Sequence, residues 1–219
     1  EFKARVSKGN LIPVYAEMTA DYETPLSAFH KISDGRNCFL LESAESSDSV
    51  GRYSFVGSVP RTIIEARGTK VKITEDGECR EFESESGDPL QDLEDFMAKY
   101  QPVSDPGLPL FYGGAVGYLS YDAVRYFEDI ELSKKEENLG MPDLYYAVYQ
   151  NIIAINHFNN EAYIFAHCFD SENNIPQIEQ ILKSKSFAEY PFERKGNYST
   201  NLDDEGFKAL VRKCKEHCQ

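Results

Sequence analysis

Two apolar runs, 144–156 and 161–169, constrain the fold more than any other part of this 219-residue chain. Only His157-Phe158-Asn159-Asn160 separates them. Apolar residues recur at Ile153 and Ile155, then at Ala162, Ile164 and Ala166. A period of two puts these side chains on one face, so the pair reads as a long antiparallel hairpin with one buried side. A hairpin alone is marginal in water, so this one implies further strands and a covering layer.

Candidates for both lie upstream. Residues 11–18 read as an extended segment, with Pro13 suited to an edge or first strand position. Thr24-Pro25 reads as cap and first residue of a helix whose apolar stripe is Leu26, Phe29 and Ile32, ended by Asp34-Gly35. Gly9-Asn10 reads as the end of a short opening helical piece. Short strands are expected at 38–41, 52–56 and 62–68. The segment 71–74, the turn Glu75-Asp76-Gly77 and a return near 80–82 form a hairpin, since Asp-Gly between extended runs is a turn signal. Asp88-Pro89 opens a second helix, with Leu90, Leu93, Phe96 and Met97 at helical spacing. Residues 102–109 read as a loop. The glycine cluster in FYGGAVGYL (111–119) lacks the lysine and hydroxyl of a P-loop and the GxGxxG spacing. It suits a strand whose backbone lies close against another layer. A helical turn is expected at 122–128 with an Arg125/Glu128 ion pair. A third helix is expected at 175–187 with Ile178, Ile181 and Leu182 inward, then an irregular connection over 187–200. The fold class is therefore α+β, an antiparallel β-sheet packed with helices.

The final segment reads as a helix capped by Asp203, with Phe207, Leu210, Val211, Cys214 and Cys218 on one stripe. That stripe is still running at Gln219, so its packing partner is expected in sequence beyond this point.

A net charge of −14 sets the surface against phosphate backbones and anionic membranes, so neither nucleic acid nor membrane is expected as a partner. No run approaches the roughly 18 apolar residues of a membrane span. Five cysteines without a CxxC pair read as reduced thiols, which suits a cytoplasmic setting. The four histidines are scattered and read as packing or surface residues. Asp88, Asp92, Glu94 and Asp95 are expected on the exposed side of their helix. GxSxG, HExxH and the EF-hand loop do not occur, so no catalytic centre is read from the residues.

The most suggestive chemistry lies in CFLLESAESSDSVGRYSFVG (38–57). Two apolar segments bring Glu42, Ser43 and Arg52 toward one end of a sheet. A carboxylate that accepts from ammonium and a guanidinium fork that holds a carboxylate would suit an amino acid zwitterion. A strand–loop–strand unit with solvated polar rims is the plainer reading of the same residues.

Several segments, in order, resemble one family. LLESA (40–44), GRYSFVG (51–57), GDPL (87–90) and FYGGAVGYLSYDAVRYFE (111–128) match it. So do IPVYAEMTADYETPLSAF near the start, MPDLYYAVYQNIIAINH from Met141 and the terminal TNLDDEGFKALVRKCKEH. Together they are similar to the N-terminal region of anthranilate synthase component I, a chorismate-utilising family. The resemblance implies the N-terminal part of a two-sheet fold. It implies residues 1–170 as a regulatory, tryptophan-binding half-domain and 171–219 as the connection and first helix of a chorismate-binding catalytic domain. In the intact protein it implies a lyase of tryptophan biosynthesis that makes anthranilate and pyruvate from chorismate and ammonia with Mg2+. A glutamine amidotransferase subunit, anthranilate synthase component II, would supply the ammonia. The chorismate and metal residues of the family lie beyond Gln219, so this chain alone is expected to be inactive. By the same resemblance Leu41, Glu42, Ser43 and Arg52 line half of a feedback site for L-tryptophan, Arg52 aligning across a one-residue gap. The sequence departs from the family at Gly206, where a capping-box glutamate is common. Aminodeoxychorismate synthase component I shares the LLES motif and is the nearest rival. A free-standing amino-acid-binding regulatory module is the rival of another class.

Overall fold

The computed structural model describes residues 9–42, 51–103, 105–109, 111–130, 140–167, 174–185, 196 and 199–218. The strands are β1 (Pro13–Thr19), β2 (Phe39–Leu41), β3 (Tyr53–Arg67), β4 (Lys70–Glu75), β5 (Glu78–Glu83), β6 (Ala115–Leu119), β7 (Leu144–Asn156) and β8 (Glu161–His167). The helices are α1 (Pro25–Ile32), α2 (Pro89–Ala98), α3 (Ile175–Lys183) and α4 (Asp204–His217), with a 3-10 helix at Tyr121–Tyr126. The chain divides into two compact units, Glu1–Ala188 and Glu189–Gln219.

All eight strands join one antiparallel sheet ordered β1-β8-β7-β3-β4-β5, with β2 added to β3 and β6 to β7. Long β3 and β7 pair from Tyr53↔Asn156 to Ala66↔Leu144 and form its spine. Each serves two outer neighbours in turn. The first half of β3 holds β2 and the second half holds β4, while β7 holds β6 first and then β8. The sequence reading separated 52–56 from 62–68; the structure joins them into one 15-residue strand. A register shift between Pro60 and Thr62 makes this possible. Proline cannot donate to the ladder, and a bulge is where a strand tolerates it. Val59 beside it adopts φ 51°, a left-handed conformation that a β-branched residue takes only when its surroundings impose it.

The predicted hairpin is β7–β8, paired from Asn151↔Ala166 to Asn156↔Glu161. Its inward positions Ile153, Ile155, Ala162, Ile164 and Ala166 join Val56 against Ala28 of α1 and Ile175 and Leu182 of α3. Residues of the alternate parity, Ile152, Ala154 and Phe165, form a second cluster with Phe39 and Tyr149, so the hairpin is buried on both faces where the sequence predicted one. Under α2 a third cluster gathers Ile64, Val71, Ile73, Leu144 and Phe96. Each large aliphatic buried this way is worth about 1.5–3 kcal/mol. Two of the predicted inward positions are exposed, Leu26 at 53% and Ile181 at 42%. Pro25 and Ala28 take the place of Leu26, and Ile175 that of Ile181, because short helices lying on a twisted sheet bury a narrower arc than their apolar residues span. Helix α3 stops at Lys183 rather than near 187.

The β4–β5 turn is the expected one, with Asp76 and Gly77 both at positive φ, as a two-residue turn of this hand requires. Every residue of β5 is exposed. In β6 the glycine reading also holds: a Cβ on Gly117 would stand 1.9 Å from the Tyr145 carbonyl oxygen. Thr24 caps α1 by accepting from the Ser27 amide, and Asp88 caps α2 by accepting from the Leu90 amide. Lys31 ties α1 to α3. Its ammonium pairs with Glu23 and donates to the carbonyls of Leu182 and Ser184 at 2.7 and 2.9 Å, with 3% of its side chain exposed. In the second unit, Asp203 caps α4 by accepting from the Gly206 amide at 2.8 Å, and none of its residues is buried. The expected helix over 2–8 and the connection from 187 to 195 lie outside the described residues.

Two substitutions test this packing by urea denaturation. Gly117→Ala drives a methyl into the β7 backbone and should lower stability by about 1–3 kcal/mol. Lys31→Met strands the Glu23 carboxylate and should cost about 3–5 kcal/mol, part of which Glu23→Gln should restore.

Candidate functional site

The short strand β2 determines where the polar trio of 38–57 can meet. Its register on β3 runs Phe39↔Gly57, Leu40↔Val56 and Leu41↔Phe55. Phe39 fixes that register: its ring occupies the space a Cβ on Gly57 would need, 2.3 Å away, and lies edge-on to Tyr149 at 4.7 Å. A one-residue slip would turn Phe39 out of this slot. Because the strands are antiparallel, Glu42 leaves β2 at the end where Arg52 leads into β3. Leu41 is 45% exposed, and Glu42 and Arg52 are exposed. Ser43 lies outside the described residues.

Sequence reasoning did not anticipate what surrounds Arg52. The β7–β8 turn folds beside it, and the His157 amide donates to the Arg52 carbonyl at 2.9 Å. The Arg52 Nε donates to the Asn156 side-chain oxygen at 3.5 Å. That oxygen also accepts from the Phe158 amide at 3.0 Å, while the Asn156 amide group donates to the Tyr53 hydroxyl at 3.4 Å. The guanidinium carbon lies 5.5 Å from the Tyr53 ring centre and 5.7 Å from that of Phe158, within cation–π range. Buried Ser54 and exposed His157 share a hydrogen bond of 2.7 Å. The only sequence signal for this arrangement was the hairpin itself, whose register against β3 a single chain does not disclose. An exposed carboxylate and an exposed guanidinium at one sheet end have the chemistry to hold an ammonium and a carboxylate.

Two other polar constellations serve the fold. Asp143 accepts from the Gly68 amide at 2.7 Å, from Arg125 and from the Tyr126 hydroxyl at 3.2 Å. Arg125 thus pairs with Asp143, where the sequence suggested Glu128, because the 3-10 helix packs on the β3–β4 turn. Burial alone would raise the Asp143 carboxyl, but the Gly68 amide and then Arg125 and Tyr126 outweigh it and hold it below the ordinary carboxylate value. Burial and Asp143 push the Tyr126 hydroxyl up to about 12. His167 is 2% exposed, with Nε2 2.7 Å from the Tyr112 carbonyl oxygen. That nitrogen must carry the proton, since a carbonyl only accepts. Burial lowers the His167 pKa, and the Tyr112 bond offsets this only in part. A groove of about 480 Å³ runs along β4 and β5, but its rim mixes Glu65, Glu81 and Glu83 with Arg67, Lys70 and Lys72 and presents no single sign of charge. Among the described residues no group of three or more His, Cys, Asp or Glu could hold a metal ion, and no helix is long and apolar enough to cross a membrane.

Comparison with known proteins gives a consistent picture. The model of a family described as chorismate binding enzyme matches residues 36–219. Anthranilate synthase component 1 of Pseudomonas aeruginosa is 37% identical over 181 residues, covering 80% of this chain and 36% of the relative. Probable anthranilate synthase component 1 of Schizosaccharomyces pombe is 32% identical over 230 residues, covering 98% of this chain and 43% of the relative. The crystal structure of anthranilate synthase component I from Streptococcus pneumoniae superposes with a TM-score of 0.58 at 18% identity, over 91% of this chain and 44% of that one. At that identity the superposition establishes the fold, and it agrees with the α+β reading. This chain spans less than half the length of these relatives.

Asp143 and His167 both make the fold sensitive to acid. The folded Asp143 pKa lies below its unfolded value, so its contribution is complete above about pH 4 and disappears as pH falls through the folded value. The folded His167 pKa is also depressed, so stability falls as pH drops below about 6.5, where the unfolded chain takes up the proton first. Urea midpoints measured from pH 8 to 3 should decline in two stages, with Asp143→Asn removing the lower and His167→Gln the upper.

Proposed function

Because this chain belongs to the family of chorismate binding enzymes, we propose that it is the N-terminal part of an anthranilate synthase component I carrying half of a tryptophan feedback site. In the intact protein, chorismate and glutamine-derived ammonia would give anthranilate and pyruvate, with component II as the amidotransferase partner. Residues 1–170 form the regulatory half in this reading, and 171–219 lead into the catalytic one. The observation that supports it is the Leu41↔Phe55 register, by which Glu42 leaves β2 at the sheet end where Arg52 leads into β3. Leu41 offers an apolar wall there, Glu42 and Ser43 would receive the inhibitor's ammonium, and Arg52 its carboxylate. Magnesium belongs to the family's chemistry, and the described residues do not fit it, since no acidic or histidine cluster gathers among them. No catalytic step is therefore assigned to this chain.

The test compares the intact protein with this chain alone. Supplied with chorismate, ammonia and Mg2+, the intact protein should form anthranilate and be inhibited by tryptophan. Loss of one charge-assisted bond in Glu42→Ala should raise the half-inhibiting tryptophan concentration by about 10- to 100-fold. The 219 residues alone should show no turnover and no micromolar tryptophan affinity by calorimetry. Aminodeoxychorismate as the product would move the protein to the folate branch, and turnover by the chain alone would overturn the division of labour.

A further inference from the structure

We propose that the turn between β7 and β8 is a positioning device for the proposed inhibitor site, with Asn156 and Phe158 holding the Arg52 guanidinium as a ready-made carboxylate fork. The inference rests on the reading that Arg52 meets an amino acid carboxylate, and it adds the residues that make the arginine fit for that task.

Arg52 is engaged at three points by the end of β7 and the turn that follows it. Its carbonyl accepts from the His157 amide, its Nε reaches the Asn156 oxygen, and its charge lies against the Phe158 ring. Asn156 is itself buried and bonded: it is 1% exposed, its oxygen accepts from the Phe158 amide and its amide group donates to the Tyr53 hydroxyl. Phe158 is 77% exposed. A large aromatic left that open adds little to the core, and its ring lies where it can face a cation. Ser54, fully buried, pins the turn from beneath through the His157 ring.

The consequence lies in what remains free. Nε is engaged, while the two terminal amino groups of Arg52 make no hydrogen bond to any described residue. Those are the donors that grip a carboxylate in a parallel pair. A solvated arginine would have to surrender side-chain freedom to form that pair, whereas one already oriented surrenders less. The turn thereby raises affinity without touching the ligand.

Two measurements test the proposal, and the first needs no ligand. In the 219-residue chain, 15N relaxation of the Arg52 Nε should report an ordered side chain. Phe158→Ala should mobilise it and Phe158→Tyr should keep it ordered. A mobile Arg52 in the unaltered chain would overturn the device whatever the site binds. Second, in the intact protein, Phe158→Ala should weaken tryptophan binding by about 2- to 5-fold, the equivalent of one exposed cation–π contact. Phe158→Tyr should restore it, and in an Arg52→Ala background Phe158→Ala should have no further effect. An equal loss in both backgrounds would assign Phe158 a merely structural role and sink the inference. An intact protein that binds no tryptophan would remove the feedback reading and the fork's purpose together, a failure the relaxation measurement tells apart.

Discussion

The pairing of β3 with β7 is the constraint on which the remaining structure depends. Each strand is longer than any of its outer neighbours, so each has room for two of them, one after the other. The bulge at Pro60 divides β3 into a portion that supports β2 and a portion that supports β4. All three core clusters draw residues from β7. Removing the spine would therefore dissolve every layer at once, whereas losing β2 or β6 would remove only a flank.

The candidate site is a by-product of that spine. Glu42 and Arg52 are ten positions apart along the chain, and nothing local forces them together. They share one sheet end because Phe39 fills the gap over Gly57 and so fixes β2 on β3. The turn that embraces Arg52 lies about a hundred residues further on and arrives because Tyr53 pairs with Asn156. Regulation of the proposed kind thus draws on residues whose only common property is their place in one ladder.

Local chemistry was well encoded. Thr24-Pro25, Asp88-Pro89 and Asp203 each announced a helix start, Asp76-Gly77 announced its turn, and alternation announced the β7–β8 hairpin. What the chain did not disclose is long-range register. Residues 52–56 and 62–68 read as two strands, and only pairing with β7 shows the bulge that carries one strand past Pro60. Arg125 was assigned a neighbour at helical spacing, whereas its partner Asp143 comes from across the sheet. Leu26 and Ile181 looked inward by periodicity alone, and the curvature of the sheet beneath them decided otherwise. For the proposed site, residue chemistry suggested Glu42, Ser43 and Arg52 and the resemblance added Leu41, while Asn156 and Phe158 required the fold.

The fully exposed strand β5 has a consequence for how this protein behaves in company. It is the last strand in the sheet order, and its outer side pairs with no other described strand. A bare edge of this kind invites a strand from another molecule. Here four of its six residues are charged, Glu78, Arg80, Glu81 and Glu83, so an incoming strand would have to desolvate them as it docked. At the opposite edge β1 begins with Pro13, which has no amide hydrogen to offer. Both ends of the strand order from β1 to β5 thus carry a feature that disfavours further pairing, one by hydration and the other by a missing donor at its first residue.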